Sequence, residues 1–204
     1  MRELDSVREN LVRMGDTTIE LLTEAARSIS GSADVTARAS ELEAQTDHQH
    51  RLIHDQCFSL ITLQAPVARD ARLITGALDA IVDLELVGDY AYEIVTLSGS
   101  ITHRPPLLIM NQLSDLGARI RDTLSSAIDG WRGTSGQPVS VRPLEASIRA
   151  ECQTLYDKLT TLLASPVDGT PYATLLIVCK HYERILRHTV CVAEQAVAAA
   201  ANLT

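Results

Sequence analysis

The sequence Asp-Leu-Glu-Leu-Val-Gly-Asp-Tyr-Ala at residues 83–91 is matched near the end of the chain by His-Tyr-Glu-Arg-Ile-Leu-Arg-His-Thr at residues 181–189. In this alignment Glu85 coincides with Glu183. A second set of four residues is repeated later in the chain at one constant separation: Leu11, Gly15, Leu22 and Ala25 recur as Leu113, Gly117, Leu124 and Ala127. Such self-similarity predicts one supersecondary unit that is used twice. Coincidence among Leu- and Ala-rich segments is the alternative explanation.

Six segments of helical periodicity lie between the turn signals of the chain. Glycine, proline and serine residues mark the turns at 31–32, 64–66, 98–106, 130–138 and 165–171. In the first segment the apolar residues keep a three-four spacing that is interrupted only at Thr18, a pattern typical of a helix seam, at Leu4, Val7, Leu11, Met14, Leu21, Ala25 and Ile29. We therefore expect an all-α protein of two tandem antiparallel three-helix bundles, with residues 1–101 as the first repeat and residues 102–204 as the second.

The composition supports an all-α fold and argues against some classes of function. Hydrophobic residues make up 46% of the chain and aromatic residues only 3%, and residues such as Leu and Ala fill helix seams. The net charge of −8 repels polyanions, so we expect no nucleic-acid partner. The N-terminal residues lack the pattern of a signal peptide, and no unbroken run of about 18 apolar residues occurs. We expect a cytoplasmic protein that meets the membrane only indirectly, through its partners.

The four cysteines show no pattern of a zinc knuckle or a disulfide framework. They lie in helix-like segments without a C-x-x-C spacing, at Cys57, Cys152, Cys179 and Cys191. We expect them to be small apolar residues of the core.

Two acidic pairs at helical spacing form the candidate site. Glu43 and Asp47 are four residues apart, as are Glu85 and Asp89, so the carboxylates of each pair share a helix face. Two such pairs on neighbouring antiparallel helices would make an oxygen-rich pocket for a cation. A solvated acidic face is the more common explanation of one pair alone. Gly88 favours the site, because a glycine inside a helix often marks a close approach of backbone or ligand.

The histidines beside Asp47 do not form the ligand pattern of a zinc enzyme. His48, His50 and His54 lack a His-Glu-x-x-His spacing and have no positioned nucleophile nearby. We expect partly exposed helix histidines, with His50 as a possible extra ligand.

The stretch from Leu60 to Ile74, followed by Asp83 to Asp89, resembles the signature of the PhoU family. That signature pairs a Gln-Pro-Val-Ala-x-Asp-Leu-Arg turn and helix start with an Asp-Leu-Glu-Arg-Ile-Gly-Asp helix. This chain departs from it in three places: Ala65 separates Gln64 from Pro66, Ala71 replaces Leu, and Leu86-Val87 replaces Arg-Ile.

The resemblance implies a fold of two three-helix bundles and a metal cluster on each repeat, held by acidic pairs. The first repeat keeps all four ligands, namely Glu43 and Asp47 on helix two and Glu85 and Asp89 on helix three. The matching positions of the second repeat read Arg149, Gln153, Glu183 and Arg187. We therefore expect metal ions (iron, zinc, manganese or magnesium) in the first repeat only. In the second repeat we expect Glu183 to pair with Arg187 or Arg149.

The resemblance also implies a function without catalysis. PhoU-like proteins regulate phosphate homeostasis negatively, linking the ATPase subunit of the phosphate ABC transporter to the phosphate-sensing histidine kinase. We expect that role here, together with a homodimer. One alternative is a PhoU-like regulator of a different ion transporter or of a sodium-phosphate transporter. Another is a helical metal-binding or plain interaction module. A third, a carboxylate metalloenzyme, would need Glu-x-x-His pairs, which the motif helices lack.

Overall fold

The structure of the chain is a computed structural model that describes residues 2–32, 35–64, 66–101, 103, 105–133, 141–164 and 169–200. It contains six helices: α1 (Arg2–Ile29), α2 (Thr36–Gln64), α3 (Ala68–Gly99), α4 (Leu107–Arg132), α5 (Arg142–Leu163) and α6 (Thr170–Ala200). No strand is formed in these residues, so the predicted all-α class is confirmed. Most of the loop expected at 130–138 and part of the turn expected at 165–171 lie outside the described residues.

The six helices pack as two groups of three around a shared core. Helices α1, α2 and α3 contact one another, and α4, α5 and α6 form the second group. The groups meet through α1 with α4 and through α3 with α6, the latter being the most extensive helix contact. Buried apolar residues from all six helices form one hydrophobic cluster. The division into repeats at residues 101 and 102 falls between α3 and α4 and stays a prediction.

The motif residues after the turn open helix α3. Helix α2 ends at Gln64 and α3 begins at Ala68. Val67 caps α3 in an extended conformation with φ −69° and ψ 162°, and Asp70 lies in the first turn. A carboxylate there interacts favourably with the partial positive charge of the helix N-terminus.

Three of the four cysteines are buried core residues, as predicted, and Cys191 is partly exposed. All four thiols are free. Burial raises the pKa of Cys57 and Cys152 to about 11. These thiols are therefore protonated at neutral pH and are poor nucleophiles.

None of the helices in the described residues is long and apolar enough to cross a membrane.

Two glycines matched by the sequence repeat lie at close helix contacts. A Cβ atom added to Gly15 on α1 would lie 2.3 Å from Cδ1 of Ile128 on α4. A Cβ atom added to Gly117 on α4 would lie 2.4 Å from the hydroxyl oxygen of Tyr182 on α6. Tyr182 is fully buried, and burial raises its pKa above the usual range. The absence of a side chain at these positions therefore allows α4 to approach both neighbours.

We predict that Gly117→Ala destabilises the protein, because the ring of Tyr182 has little room to move. Overpacking of this kind costs about 1–3 kcal/mol, against a helix-propensity gain of about 1 kcal/mol for alanine. Urea unfolding followed by circular dichroism measures the difference. Gly99→Ala is the matched control, since nothing lies within 4 Å of an added Cβ atom there. Equal stability of the two variants would contradict the packing argument.

Candidate metal centre

Helices α2 and α3 bring three of the four predicted carboxylates together. Glu43 and Asp47 lie one turn apart on α2, and Asp89 lies opposite them on α3. One carboxylate oxygen from each residue lies within 4.8 Å of the others. Searching the described residues for three or more histidine, cysteine, aspartate or glutamate side chains close enough to hold one metal ion gives these three residues.

Gly88 precedes Asp89 on α3 and faces α1 and α2. A Cβ atom added to Gly88 would lie 3.4 Å from Cγ2 of Thr46 on α2 and 3.8 Å from Cδ2 of Leu21 on α1. Gly88 is buried, whereas the next residue, Asp89, lies at the edge of the helix contact. Both distances are those of ordinary van der Waals contact, so a methyl group would fit at Gly88 and the close approach predicted from the sequence is not seen there.

The pKa values of Asp89 and Glu43 are both raised. Burial is the first cause of the raised pKa of Asp89, followed by the negative charges of Glu85, Asp47, Glu43 and Glu93. Burial likewise raises the pKa of Glu43, with the charge of Asp47 adding to it. Each negative charge disfavours ionisation of its neighbours. The group therefore favours a bound positive charge.

Glu85, the fourth predicted ligand, lies beside the group and has a partner of its own. Nδ1 of His50 lies 2.9 Å from Oε2 of Glu85, so the imidazole and the carboxylate form a hydrogen bond between α2 and α3. His48 and His54 are exposed and His50 is half-buried, as the sequence analysis predicted. His50 therefore contacts the predicted ligand set through Glu85.

The corresponding region of the second half has a different ion pair from the one predicted. Nζ of Lys180 lies 2.8 Å from Oε2 of Glu183 and 4.5 Å from the centre of the Tyr156 ring. The prediction that an arginine pairs with Glu183 is wrong, since Lys180 lies closer on the same helix and Arg149 pairs with Glu145.

The charge effect expected of the arginines is nevertheless present. The hydrogen bond from Lys180 lowers the pKa of Glu183, burial partly opposes it, and the charges of Arg149 and Arg187 lower it further. Positive side chains therefore surround the one acidic residue that both repeats share, and they disfavour a cation beside it.

Two charged residues beside these sites, Lys180 and Glu93, were not predicted from the sequence, although each lies at a helical spacing from a predicted residue. Lys180 precedes Glu183 by three residues and Glu93 follows Asp89 by four, and side chains at these spacings are neighbours on a helix. Glu93 adds negative charge beside the acidic group.

The residues of the first half suit a hard or borderline cation. Glu43, Asp47 and Asp89 offer anionic oxygen ligands, which magnesium, manganese and iron accept. Their mutual repulsion is a cost that a bound cation removes. The donor set of this structure therefore fits a metal ion of the kind that the resemblance implies.

Comparisons with known proteins point to one family. A family model described as PhoU domain matches residues 11–97. The chain is 26% identical over 197 residues to the phosphate-specific transport system accessory protein PhoU homolog of Synechocystis sp. (strain ATCC 27184 / PCC 6803 / Kazusa), a match that covers 94% of this chain and 87% of the relative. It is 27% identical over 196 residues to the PhoU homolog of Xylella fastidiosa (strain 9a5c), which covers 94% of this chain and 82% of the relative.

Solved structures share the fold. PhoU from Pseudomonas aeruginosa superposes with a TM-score of 0.88 at 21% identity, covering 98% of each chain. The phosphate transport system regulatory protein PhoU from Streptococcus pneumoniae gives a TM-score of 0.85 at 16% identity, covering 96% of this chain and 93% of the other. The family model matches the helices that carry the acidic group, and relatives of the same name match nearly the whole chain, so this chain is similar to PhoU proteins along most of its length.

Proposed function

We propose that the chain is a cytoplasmic, non-enzymatic regulator of phosphate homeostasis that acts as an accessory protein of a phosphate transport system. The observation that carries the proposal is the similarity to proteins named phosphate-specific transport system accessory protein over 94% of this chain. A structural neighbour is named a phosphate transport system regulatory protein, which is consistent with the same role.

The chemistry of the candidate site supports a role other than catalysis. The acidic group consists of carboxylates, with His50 hydrogen-bonded to Glu85. Nucleophilic catalysis requires an activated nucleophile beside a base, and Cys57, Cys152 and Cys179 are buried thiols with raised pKa values. The site is better suited to holding a cation than to transferring a group.

The partners in this proposal are the ATPase subunit of the phosphate ABC transporter and the phosphate-sensing histidine kinase. By contacting both, the protein would restrain uptake and keep starvation signalling off when phosphate is plentiful. A homodimer is also part of the proposal. Large side chains such as Phe58 and Leu63 on α2 and Leu107 on α4 are exposed and suit contacts with the partner proteins.

The proposed cofactor is a metal ion in the first half only. Glu43, Asp47 and Asp89 would hold it, and Glu85 supplies a further carboxylate one turn from Asp89. The ion supplies positive charge that offsets the repulsion among these residues. By sharing the ion, Glu43 and Asp47 on α2 and Asp89 on α3 would tie these two helices together. The basic residues around Glu183 would keep the second half free of metal.

We predict that manganese raises the thermal stability of the protein by mass action on the folded state. At a free concentration of about 100 times the dissociation constant, the gain is about 2.7 kcal/mol. The double variant Glu85→Ala, Asp89→Ala should lose most of this gain in differential scanning calorimetry. The matched control is Glu183→Ala, Arg187→Ala at the equivalent positions, which should respond like the wild type. Full metal content in the first variant would contradict the assignment.

We predict that Asp89→Asn stabilises the metal-free protein at pH 7. The folded protein raises the pKa of Asp89, so it binds that proton more tightly than the unfolded chain does. The resulting stability is present at acidic pH and is lost as the pH rises through the raised pKa. The variant removes this loss, with a gain of roughly a few tenths of a kcal/mol.

Thermal unfolding in chelator between pH 4 and pH 8 tests the sign. The advantage of Asp89→Asn should shrink toward pH 4. Asp115→Asn, the same substitution at an exposed position of α4 away from the acidic group, is the control. An advantage that grows toward acidic pH would show that the sign is wrong.

We predict that the tagged chain, expressed at its native level, retains the transporter ATPase subunit and the sensor kinase in a pull-down from its own cells. Quantitative mass spectrometry against an untagged strain measures the enrichment. Enrichment of a different transporter, with neither of these partners, would refute the proposed partner choice and favour a PhoU-like regulator of another transport system.

A further inference from the structure

Helices α3 and α6 lie side by side and antiparallel, and their outer surface forms one face of the molecule. Their direction follows from two contacts, because Asp83 meets His188 whereas Glu93 meets His181. The ring of Tyr90 stacks on the ring of His181 with centroids 5.3 Å apart. The face therefore has a polar seam along its middle, with α2 beyond α3 on one side and α5 beyond α6 on the other.

The α3 side of this face is acidic. Glu43, Asp47 and Asp89 converge there, and Glu93 lies one turn after Asp89 with its side chain 56% exposed. We call these four residues the acidic cluster.

The α6 side of the same face is basic. Lys180, Arg184 and Arg187 are exposed and lie four and three residues apart, so they share one side of α6 over about 10 Å. We call these three residues the basic stripe. Arg184 also borders the seam, with its guanidinium carbon 5.4 Å from the centre of the Tyr90 ring.

The basic stripe belongs to the second half alone. When Glu85 is aligned with Glu183, the three positions of the stripe correspond to Val82, Leu86 and Asp89 in the first half. The alignment therefore predicts equivalent surfaces, yet one carries positive charge and the other is apolar or acidic. On a chain with a net charge of −8, the stripe is a local reversal of sign.

The surroundings of the stripe restrict what can bind it. Glu183 lies on α6 between Lys180 and Arg184, and Glu93 lies across the seam beside His181. A wide anionic surface such as a membrane would be repelled by these acids and by the net charge. A small cluster of carboxylates fits better. The chain presents such a cluster on the same face.

We propose that two copies of this chain associate through this face, with the basic stripe of each copy against the acidic cluster of the other. A twofold axis along the α3–α6 seam places each acidic side opposite a basic side, so the surface is self-complementary. Val82 and Ile177, 47% and 48% exposed, add apolar area on the same face. This contact gives the proposed homodimer a specific interface. Only the expected effect of metal on the dimer rests on the proposed metal site.

Charge reversal tests the contact in the metal-free full chain. Arg184→Glu, Arg187→Glu makes both sides of the face acidic, and Glu43→Lys, Asp47→Lys makes the acidic side basic. We expect each variant alone to dimerise at least about tenfold more weakly than the wild type in sedimentation velocity. An equimolar mixture of the two should regain dimers, because opposite charges then face each other. Arg13→Glu, Arg121→Glu on α1 and α4 is the control and should dimerise like the wild type.

If the wild type stays monomeric at every concentration, the proposal is wrong, and an acidic partner protein becomes the expected ligand of the basic stripe. Reversed variants that dimerise as tightly as the wild type overturn it also, as does a mixture that stays monomeric. Added manganese should weaken the wild-type dimer, because the ion neutralises the acidic cluster. If manganese changes neither the dimer nor the thermal stability while the charge reversals behave as expected, the metal site fails and the contact stands.

Discussion

The antiparallel packing of α3 against α6 holds the two halves of the chain together. Their contact is the most extensive between any two helices, and it buries apolar residues from both halves in one core. At its edge, Nδ1 of His188 lies 2.8 Å from Oδ1 of Asp83, and Nε2 of His181 lies 3.1 Å from Oε2 of Glu93. Apolar burial supplies the stability of this contact, while the paired polar groups fix its register.

The difference in charge between the two halves is expressed on this pair of helices. Because α3 and α6 are neighbours, residues that the sequence alignment matches lie on one surface. Asp89 on α3 joins an acidic group that suits a cation, whereas Arg187 at the matching position of α6 adds a positive charge that disfavours one. The aligned positions of the two halves therefore carry opposite charges, and together they give the face formed by α3 and α6 an acidic side and a basic side.

Much of the fold follows from local patterns in the sequence. The six helices are predictable because apolar periodicity and turn residues act within a few neighbours. Glu43, Asp47 and Asp89 are predictable as one group because a four-residue spacing fixes the helix face and the PhoU-like motif places α2 beside α3. The packing of α3 on α6 has no comparable local signal, since it depends on how two halves meet.

Side-chain partners are less predictable than helices for the same reason. Gly15 and Gly117 match in the sequence, yet one faces Ile128 and the other Tyr182, because the two halves have different neighbours. Glu183 was expected to pair with an arginine, but it pairs with Lys180, because rotamers and helix spacing decide between several nearby cations.

Anomalous X-ray diffraction tests most directly whether metal binds the first half of the chain and not the second. Crystals grown with manganese and measured near its absorption edge locate each ion without reference to binding assays. We expect an anomalous peak among the carboxylates of Glu43, Asp47 and Asp89, and none beside Glu183. A peak of equal height beside Glu183, or none at the acidic group in protein saturated with manganese, would contradict this expectation.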